Sequence, residues 1–253
     1  MSILFSIIEG VREDLAARRL PLIQIQDQLS RAPKPISPFF PSEGISVIAE
    51  VKRSSPSKGN LSFIENPAEL ARKYEEGGAS AVSVLTERRK FNGSLSDFDQ
   101  VRKTIKIPML RKDFMVDEYQ FYEARAHGAD LVLLIVAGIS NSQLKDYFAL
   151  TTELGMQAII EVHTLEELDD AMELNPTIIG VNSRNLNTLE VSKSVFSEIL
   201  PKIPKDKVRI AESGITNKSD VEFAQKHGAN VILVGEALVK SGNPAAVIKE
   251  FKS

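Results

Sequence analysis

Cysteine is absent from this 253-residue chain, which excludes disulfides, thiolate nucleophiles and Cys-ligated zinc and fits a reducing compartment. Neither sign of charge dominates: 31 Lys and Arg against 34 Asp and Glu leave a formal net charge of −3, so nothing marks a nucleic acid as a partner. Apolar runs are short, and none approaches the roughly 18 residues needed to span a bilayer. SILFSII near the start has no basic stretch before it and leads straight into GVREDLAARR, which is not the layout of a secretory signal. A soluble, cytoplasmic protein with no membrane partner is expected. No GxGxxG follows the first strand-like run, which weakens a dinucleotide-binding sheet. The three histidines form no cluster with carboxylates at metal-ligand spacing, so no metal is expected. Nor does any linker divide the chain, and about 250 residues is what one closed α/β barrel requires.

What is present is organised around Ser46 to Gly59, SVIAEVKRSSPSKG. Ser46 to Val51 reads as a strand buried between two layers, yet Glu50 and Lys52 stand at its carboxyl end. Side chains two apart on a strand share a face, so these two should project together, with Val51 turned away. The bland alternative is an ion pair at the frayed end of an edge strand.

Ahead of this stretch, Ser2 to Arg19 sets Leu4, Ile7, Ile8, Val11 and Leu15 on one helical stripe. A weaker helix covers Ile23 to Ser30. Pro33, Pro35, Pro38 and Pro41 then forbid regular structure.

From Ser46 onward strand-like and amphipathic runs alternate. The strands are read as Ser46–Val51, Ala81–Leu85, Pro108–Lys112, Leu131–Val136, Gln157–Val162, Ile178–Asn182, Val208–Glu212 and Val231–Val234. Helices are expected over Pro67–Gly77, Tyr119–His127, Ser142–Leu154, Leu165–Leu174 and Ser219–His227. EGGASAVSVL, AHGADLVLLI and KHGANVILVG repeat one phase, a helix capped by Gly and then a strand. Eight such units predict a parallel sheet covered by helices, closed into a (β/α)8 TIM barrel with an N-terminal helical extension. Residues 1–45 are assigned to the extension with its Pro-rich loop, packed on the barrel, and 46–253 to the barrel as the catalytic domain.

Active sites of such barrels lie at the carboxyl ends of the strands. Those ends carry Glu50 and Lys52, then Glu87 and Phe91 in TERRKFNGS, Lys112 in PMLRKDF and Glu161 in AIIEVH. Asn182 and Arg184 follow in GVNSRNL, Glu212 and Ser213 in AESGI, and Gly235 in ILVGEAL. Lysines and glutamates facing each other across one mouth can shift each other's pKa and serve as acid and base. Ser213-Gly214 and Gly235, on the last two strands, free backbone N–H groups where many barrels hold a phosphate. His127 and His227 sit before Gly at helix ends, where imidazole suits the terminal carbonyls. His163 follows Glu161 closely enough to line the mouth, and Arg88 to Lys90 reads as a solvated basic face.

These motifs, in this order from Ile48 to Leu238, resemble the indole-3-glycerol-phosphate synthase family. IAEVKRSSPSKG, SVLTE with FNGS, LRKDF, DLVLLIV, IIEVH, GVNSRNL, AESGI and VILVGEAL carry the likeness, and the leading helices look like that family's extra helices before the first strand. The resemblance implies a (β/α)8 lyase of tryptophan biosynthesis that uses no cofactor. It would convert 1-(2-carboxyphenylamino)-1-deoxyribulose 5-phosphate into indole-3-glycerol phosphate, carbon dioxide and water. It implies Lys112 as general acid for ring closure and Glu161 as the acid/base partner in dehydration. Glu50, Lys52, Asn182, Glu212 and Ser213 would orient or stabilise the intermediate. Ser55, Arg184, Gly214, Gly235 and the backbone near Glu236 would hold the phosphate, while Phe91 packs the anthranilate ring. Lys90 stands where the family often has an aromatic residue. Protonating a ketone asks for an ammonium kept near neutral pKa, with Lys52 as the second cation. A monomer is expected, compatible with weak contact to other tryptophan-pathway enzymes. Competing readings are another phosphate-binding barrel, such as a sugar-phosphate isomerase or a Schiff-base aldolase with Lys112 as imine former, and a non-catalytic phosphate-ligand binder.

Overall fold

The computed structural model describes residues 2–38, 40–41 and 44–253; within the expected extension and its Pro-rich loop, Met1, Phe39, Ser42 and Glu43 lie outside the described residues. Eight parallel strands form a closed barrel: β1 (Ser46–Val51), β2 (Ala81–Leu85), β3 (Met109–Lys112), β4 (Leu131–Ile135), β5 (Gln157–Val162), β6 (Ile178–Asn182), β7 (Val208–Glu212) and β8 (Val231–Val234). Because β1 pairs with both β8 and β2, it is no edge strand, and the edge reading of Glu50 and Lys52 falls. Two boundaries differ from the sequence reading: β3 begins one residue later, and Val136 turns into a 3-10 segment, Val136–Gly138.

Two helices precede the barrel, α1 (Ile3–Arg18) and α2 (Leu22–Arg31). The others are α3 (Pro67–Glu76), α4 (Leu95–Arg102), α5 (Tyr119–Ala126), α6 (Asn141–Glu153), α7 (Leu165–Met172), α8 (Ser194–Ile199), α9 (Lys218–Lys226), α10 (Glu236–Lys240) and α11 (Pro244–Lys252). Their starts are written locally. Asn66, Ser94, Ser140, Thr164, Asn217 and Asn243 each accept a backbone N–H of the first turn through their side chains. The repeated Gly-Ala turn closes helices in one way: with Gly78, Gly128 and Gly228 at positive φ, the following Ala N–H reaches back to the carbonyls of Tyr74, Ala124 and Ala224.

Strand alternation divides the core in two. Val47, Ala49, Val51, Met109, Ile160 and Ala211 face outward into the layer beneath the helices, whereas Ile48, Leu110, Ile159, Ile178, Ile210 and Val231 fill the barrel interior. Two residues beyond five of these interior side chains come Glu50, Lys112, Glu161, Gly180 and Glu212. The same face that is apolar in the barrel's middle therefore turns polar at its carboxyl end.

The segment before β1 wraps the barrel. On α1, Leu4, Ile7, Ile8 and Val11 join the interior cluster together with Leu133, Ile135 and Phe114, so this helix roofs the mouth. A buried ionic chain ties it to the wall: Arg18 grips Glu123, which also accepts from Arg111 Nη2 at 2.9 Å, and Arg111 reaches Asp113 at 3.1 Å. Ile25 of α2 packs with Leu15 and Tyr119. The Pro-rich stretch then runs along the end of the barrel opposite the mouth, where Ile36 N–H donates to Asp130 at 2.6 Å. Arg53 to Gly59, expected as plain loop, contains a small antiparallel hairpin joining Ser54–Ser55 to Gly59–Asn60.

Candidate active site

A cavity of about 480 Å³ opens at the carboxyl ends of the strands. It is lined by Glu50, Lys52, Ser55, Phe91, Lys112, Glu161, Asn182, Arg184, Glu212, Ser213, Gly214, Gly235 and Glu236, so the structure brings to one place every residue to which the family resemblance gives a site role.

Lys112 sits at its floor. Its Nζ lies 2.9 Å from Glu161 Oε2 and 2.6 Å from Glu212 Oε2, and both carboxylates are about 1% exposed. Burial disfavours the ammonium, but the charges of Glu161, Glu212 and Glu50 outweigh it and hold the Lys112 pKa above the ordinary lysine value. This corrects the expectation of a near-neutral lysine. Lys52, the cation meant to press it down, is itself hydrogen-bonded to Glu50.

The two carboxylates beside Lys112 diverge. Burial would raise Glu161, yet Lys112 and His163 hold it well below the usual carboxylate range. Burial, together with the neighbouring Glu161 charge, pushes Glu212 up to about 7 despite Lys112. At neutral pH Lys112 therefore keeps its proton and Glu161 stays ionised, while Glu212 stands near its midpoint.

Glycines make room for these acids. A Cβ on Gly180 would stand 2.1 Å from Glu212 Oε1, and one on Gly235 would stand 2.5 Å from Glu50 Oε2. Gly235 was read as a source of free backbone N–H; its missing side chain also seats Glu50.

The other wall carries left-handed backbone, an arginine and a lysine-bound carboxylate. Ser213 holds a left-handed φ of 66° and Gly214 one of 73°, so two successive residues at the end of β7 turn backbone toward the cavity. Arg184 donates to Ser57 Oγ at 3.0 Å and to the Leu189 carbonyl at 2.9 Å, while Asn182 Oδ1 accepts the Arg184 N–H at 3.0 Å. The Glu236 carboxylate is engaged by Lys58 and Lys240, each at 2.7 Å.

Two residues read at or near the mouth, Glu87 and His163, do other work. Glu87 accepts the backbone N–H groups of Arg89, Lys90 and Phe91 and so shapes the loop that presents Phe91, rather than lining the cavity. Arg88 to Lys90 are exposed as expected, and within that face Arg89 forks onto Glu13 and Asp14 of α1. Lys90 is exposed, and the aromatic partner of Phe91 is Phe114, with ring centroids 6.2 Å apart. His163 stands behind Glu161 and does not line the cavity. The sequence reading missed the apolar roof, Leu4 and Ile7. Its signal was the α1 stripe, which shows that a face is buried but not against what.

Solved structures with the same architecture include 3-hexulose-6-phosphate synthase, at TM-score 0.60 and 18% identity over 83% of this chain and 98% of that one. The tryptophan synthase complex from Pyrococcus furiosus matches at TM-score 0.62 and 16% identity, covering 84% and 99%. At such identities the likeness concerns the fold alone. Sequence relatives are far nearer. Indole-3-glycerol phosphate synthase of Arthrobacter sp. (strain FB24) is 50% identical over 260 residues, spanning 99% of this chain and 96% of its own. The protein of that name from Mycolicibacterium vanbaalenii is 50% identical over 254 residues, spanning 99% and 93%. The family model described as indole-3-glycerol phosphate synthase matches residues 4–251. A match that runs nearly end to end, with half the residues shared by the relatives, leaves one conclusion: the chain belongs to the indole-3-glycerol phosphate synthase family.

Proposed function

We infer that the protein catalyses its family's reaction, closing the indole ring of 1-(2-carboxyphenylamino)-1-deoxyribulose 5-phosphate with loss of carbon dioxide and water. The observation that carries this reading is the Lys112 ammonium held between Glu161 and Glu212 on a cavity floor opposite Arg184 and the Ser213-Gly214 turn.

The substrate's phosphate lies against Ser55, Arg184, Gly214, Gly235 and the backbone at Glu236, and its aromatic ring packs on Phe91. Lys112 gives a proton to the ketone oxygen as the ring carbon attacks, and carbon dioxide then leaves as the aromatic system is restored. Lys52 and Glu50, with Asn182 and Ser213, orient the intermediate. Glu161, protonated by then, turns the remaining hydroxyl into water; the neutral Lys112 amine recovers a proton from the neighbouring ring carbon. Glu212 fixes Lys112 for both steps.

An imine-forming lysine needs its free amine, and carboxylates that keep the proton on Lys112 work against the aldolase reading. Borohydride in the presence of substrate is expected to trap no adduct on Lys112.

The direct test follows indole fluorescence from the carboxyphenylamino substrate. Lys112→Ala is expected to lower kcat by about a thousandfold while a phosphate-bearing product analogue still binds, since the proton donor acts in the transition state and the phosphate grip does not depend on it. Equal losses of affinity and rate would remove Lys112 from the acid's role.

A further inference from the structure

His163 is a titratable group that touches the acid/base set without entering the cavity. Its Nε2 lies 3.4 Å from Glu161 Oε1, at ion-pair distance but unaligned for a hydrogen bond, and has no other partner among the described residues. Its Nδ1 is 3.0 Å from Glu167 Oε2, and the same oxygen accepts the His163 backbone N–H at 2.7 Å. Glu167 is itself held in the first turn of α7, where Thr164 caps its N–H. The ring is thus fixed from one side by an anchored carboxylate, with its other nitrogen facing the proposed acid of the second step.

Resting on the proposed reaction, a proton ledger shows why this matters. Ring closure puts one proton on the ketone oxygen, and carbon dioxide leaves without one. Loss of the hydroxyl as water needs a second proton, and breaking the ring C–H returns one. Each turnover therefore consumes one proton, and two must be given before the ring C–H bond breaks to return one. Lys112 supplies the first. Glu161 is ionised while Lys112 is charged, so it must be loaded between the two steps, when the substrate fills the cavity and keeps water out.

We propose that His163 is a proton reservoir for Glu161: it passes its Nε2 proton to Glu161 Oε1 after Lys112 has given up its own, and so arms the dehydration step. In the transfer the Nε2–H bond breaks and an O–H bond forms on Glu161, leaving a neutral imidazole that keeps its Nδ1–H on Glu167. Neutralising Lys112 removes the charge that held Glu161 down, which gives the transfer its direction. When product leaves and Lys112 is an ammonium again, a proton entering from water at the mouth passes through Glu161 back to Nε2. Burial works against the imidazolium, but Glu161 and Glu167 lift His163 to about 9, so the reservoir is full at neutral pH. A 3.4 Å approach suits a contact that tightens only in the loaded complex.

The test is a single turnover with enzyme in excess, following carbon dioxide release and indole fluorescence separately. Both signals from the unaltered enzyme establish the reaction itself, independently of His163. In His163→Gln, carbon dioxide is expected at the unaltered rate, with indole delayed about tenfold or more. Glu167→Gln keeps the ring but removes the carboxylate that favours its cation, and is expected to show the same divergence, smaller. A structural role for His163 would slow both signals together, and that result, or two unchanged signals, overturns the proposal.

Discussion

At the scale of single residues, Arg111 and Lys112 show how position along a strand decides what a charge is for. They are neighbours in sequence, yet Arg111 points outward, wholly buried, onto Thr86, Asp113 and Glu123, while Lys112 points inward to the cavity. One fastens the wall and the other carries the proposed chemistry. Charge state then couples to stability. His163 ordinarily titrates near 6.5 and is lifted to about 9 here, and Glu212 is pushed from about 4.5 to about 7. The raised histidine contributes stability that is fully present below pH 6.5 and is lost as pH rises through 9. The raised carboxyl likewise binds a proton that the unfolded chain has already released, so its contribution falls between pH 4.5 and 7. Unfolding free energy is therefore expected to fall from pH 6 to 9, by at most about 3 kcal/mol from His163, and to be read as a lowered melting temperature. His163→Gln should flatten that decline; an equal decline in the variant would place its origin elsewhere. The acids and bases were legible because charged residues stood at the ends of apolar strands. The pairing of Lys112 with two glutamates was not, since it depends on three strands meeting across a closed barrel.

At the scale of elements, β6 illustrates what alternation cannot reveal. Ile178, Gly180 and Asn182 share one face, and a glycine in the middle reads as a weak strand position until the Glu212 carboxylate is found in the space its side chain would take. Gly180→Ala is expected to displace Glu212 and lower kcat at least about tenfold, with a much smaller change in KM. Steady-state kinetics and a circular dichroism spectrum separate that outcome from misfolding. The loop after β2 is an element of a second kind. Arg89 crosses Gly10 to reach Glu13 and Asp14, so α1 and the Phe91 loop are clasped together. Arg89→Ala is expected to raise KM severalfold with kcat little changed, and high salt should produce the same rise in the unaltered enzyme. Six strands have the limits their apolar runs suggest. Helix α8 was harder to read, being only 6 residues long, too short for a periodic stripe to stand out.

For the whole molecule, the eightfold alternation of strand and helix gave the architecture, because a parallel sheet of that length must be covered on its outer face and closes at eight. The course of the first 45 residues was not written in the same way. An apolar stripe and a set of prolines say nothing about which end of a barrel each will meet, and here the helix takes the mouth and the prolines the opposite end. Ile8 is about 1% exposed between α1 and the barrel interior. Ile8→Ala is expected to cost about 2–4 kcal/mol of unfolding free energy in urea, measurable as a lowered midpoint at unchanged slope.

Leu4 and Ile7 of α1 roof the cavity, whereas part of its opposite wall comes from Leu233 and Gly235, more than 200 residues later. On the ribosome α1 emerges ahead of every barrel strand, with a sticky face whose partners are translated later. The catalytic chamber can therefore come into being only once β8 has been made, and the nascent helix needs either shelter or a provisional resting place until then.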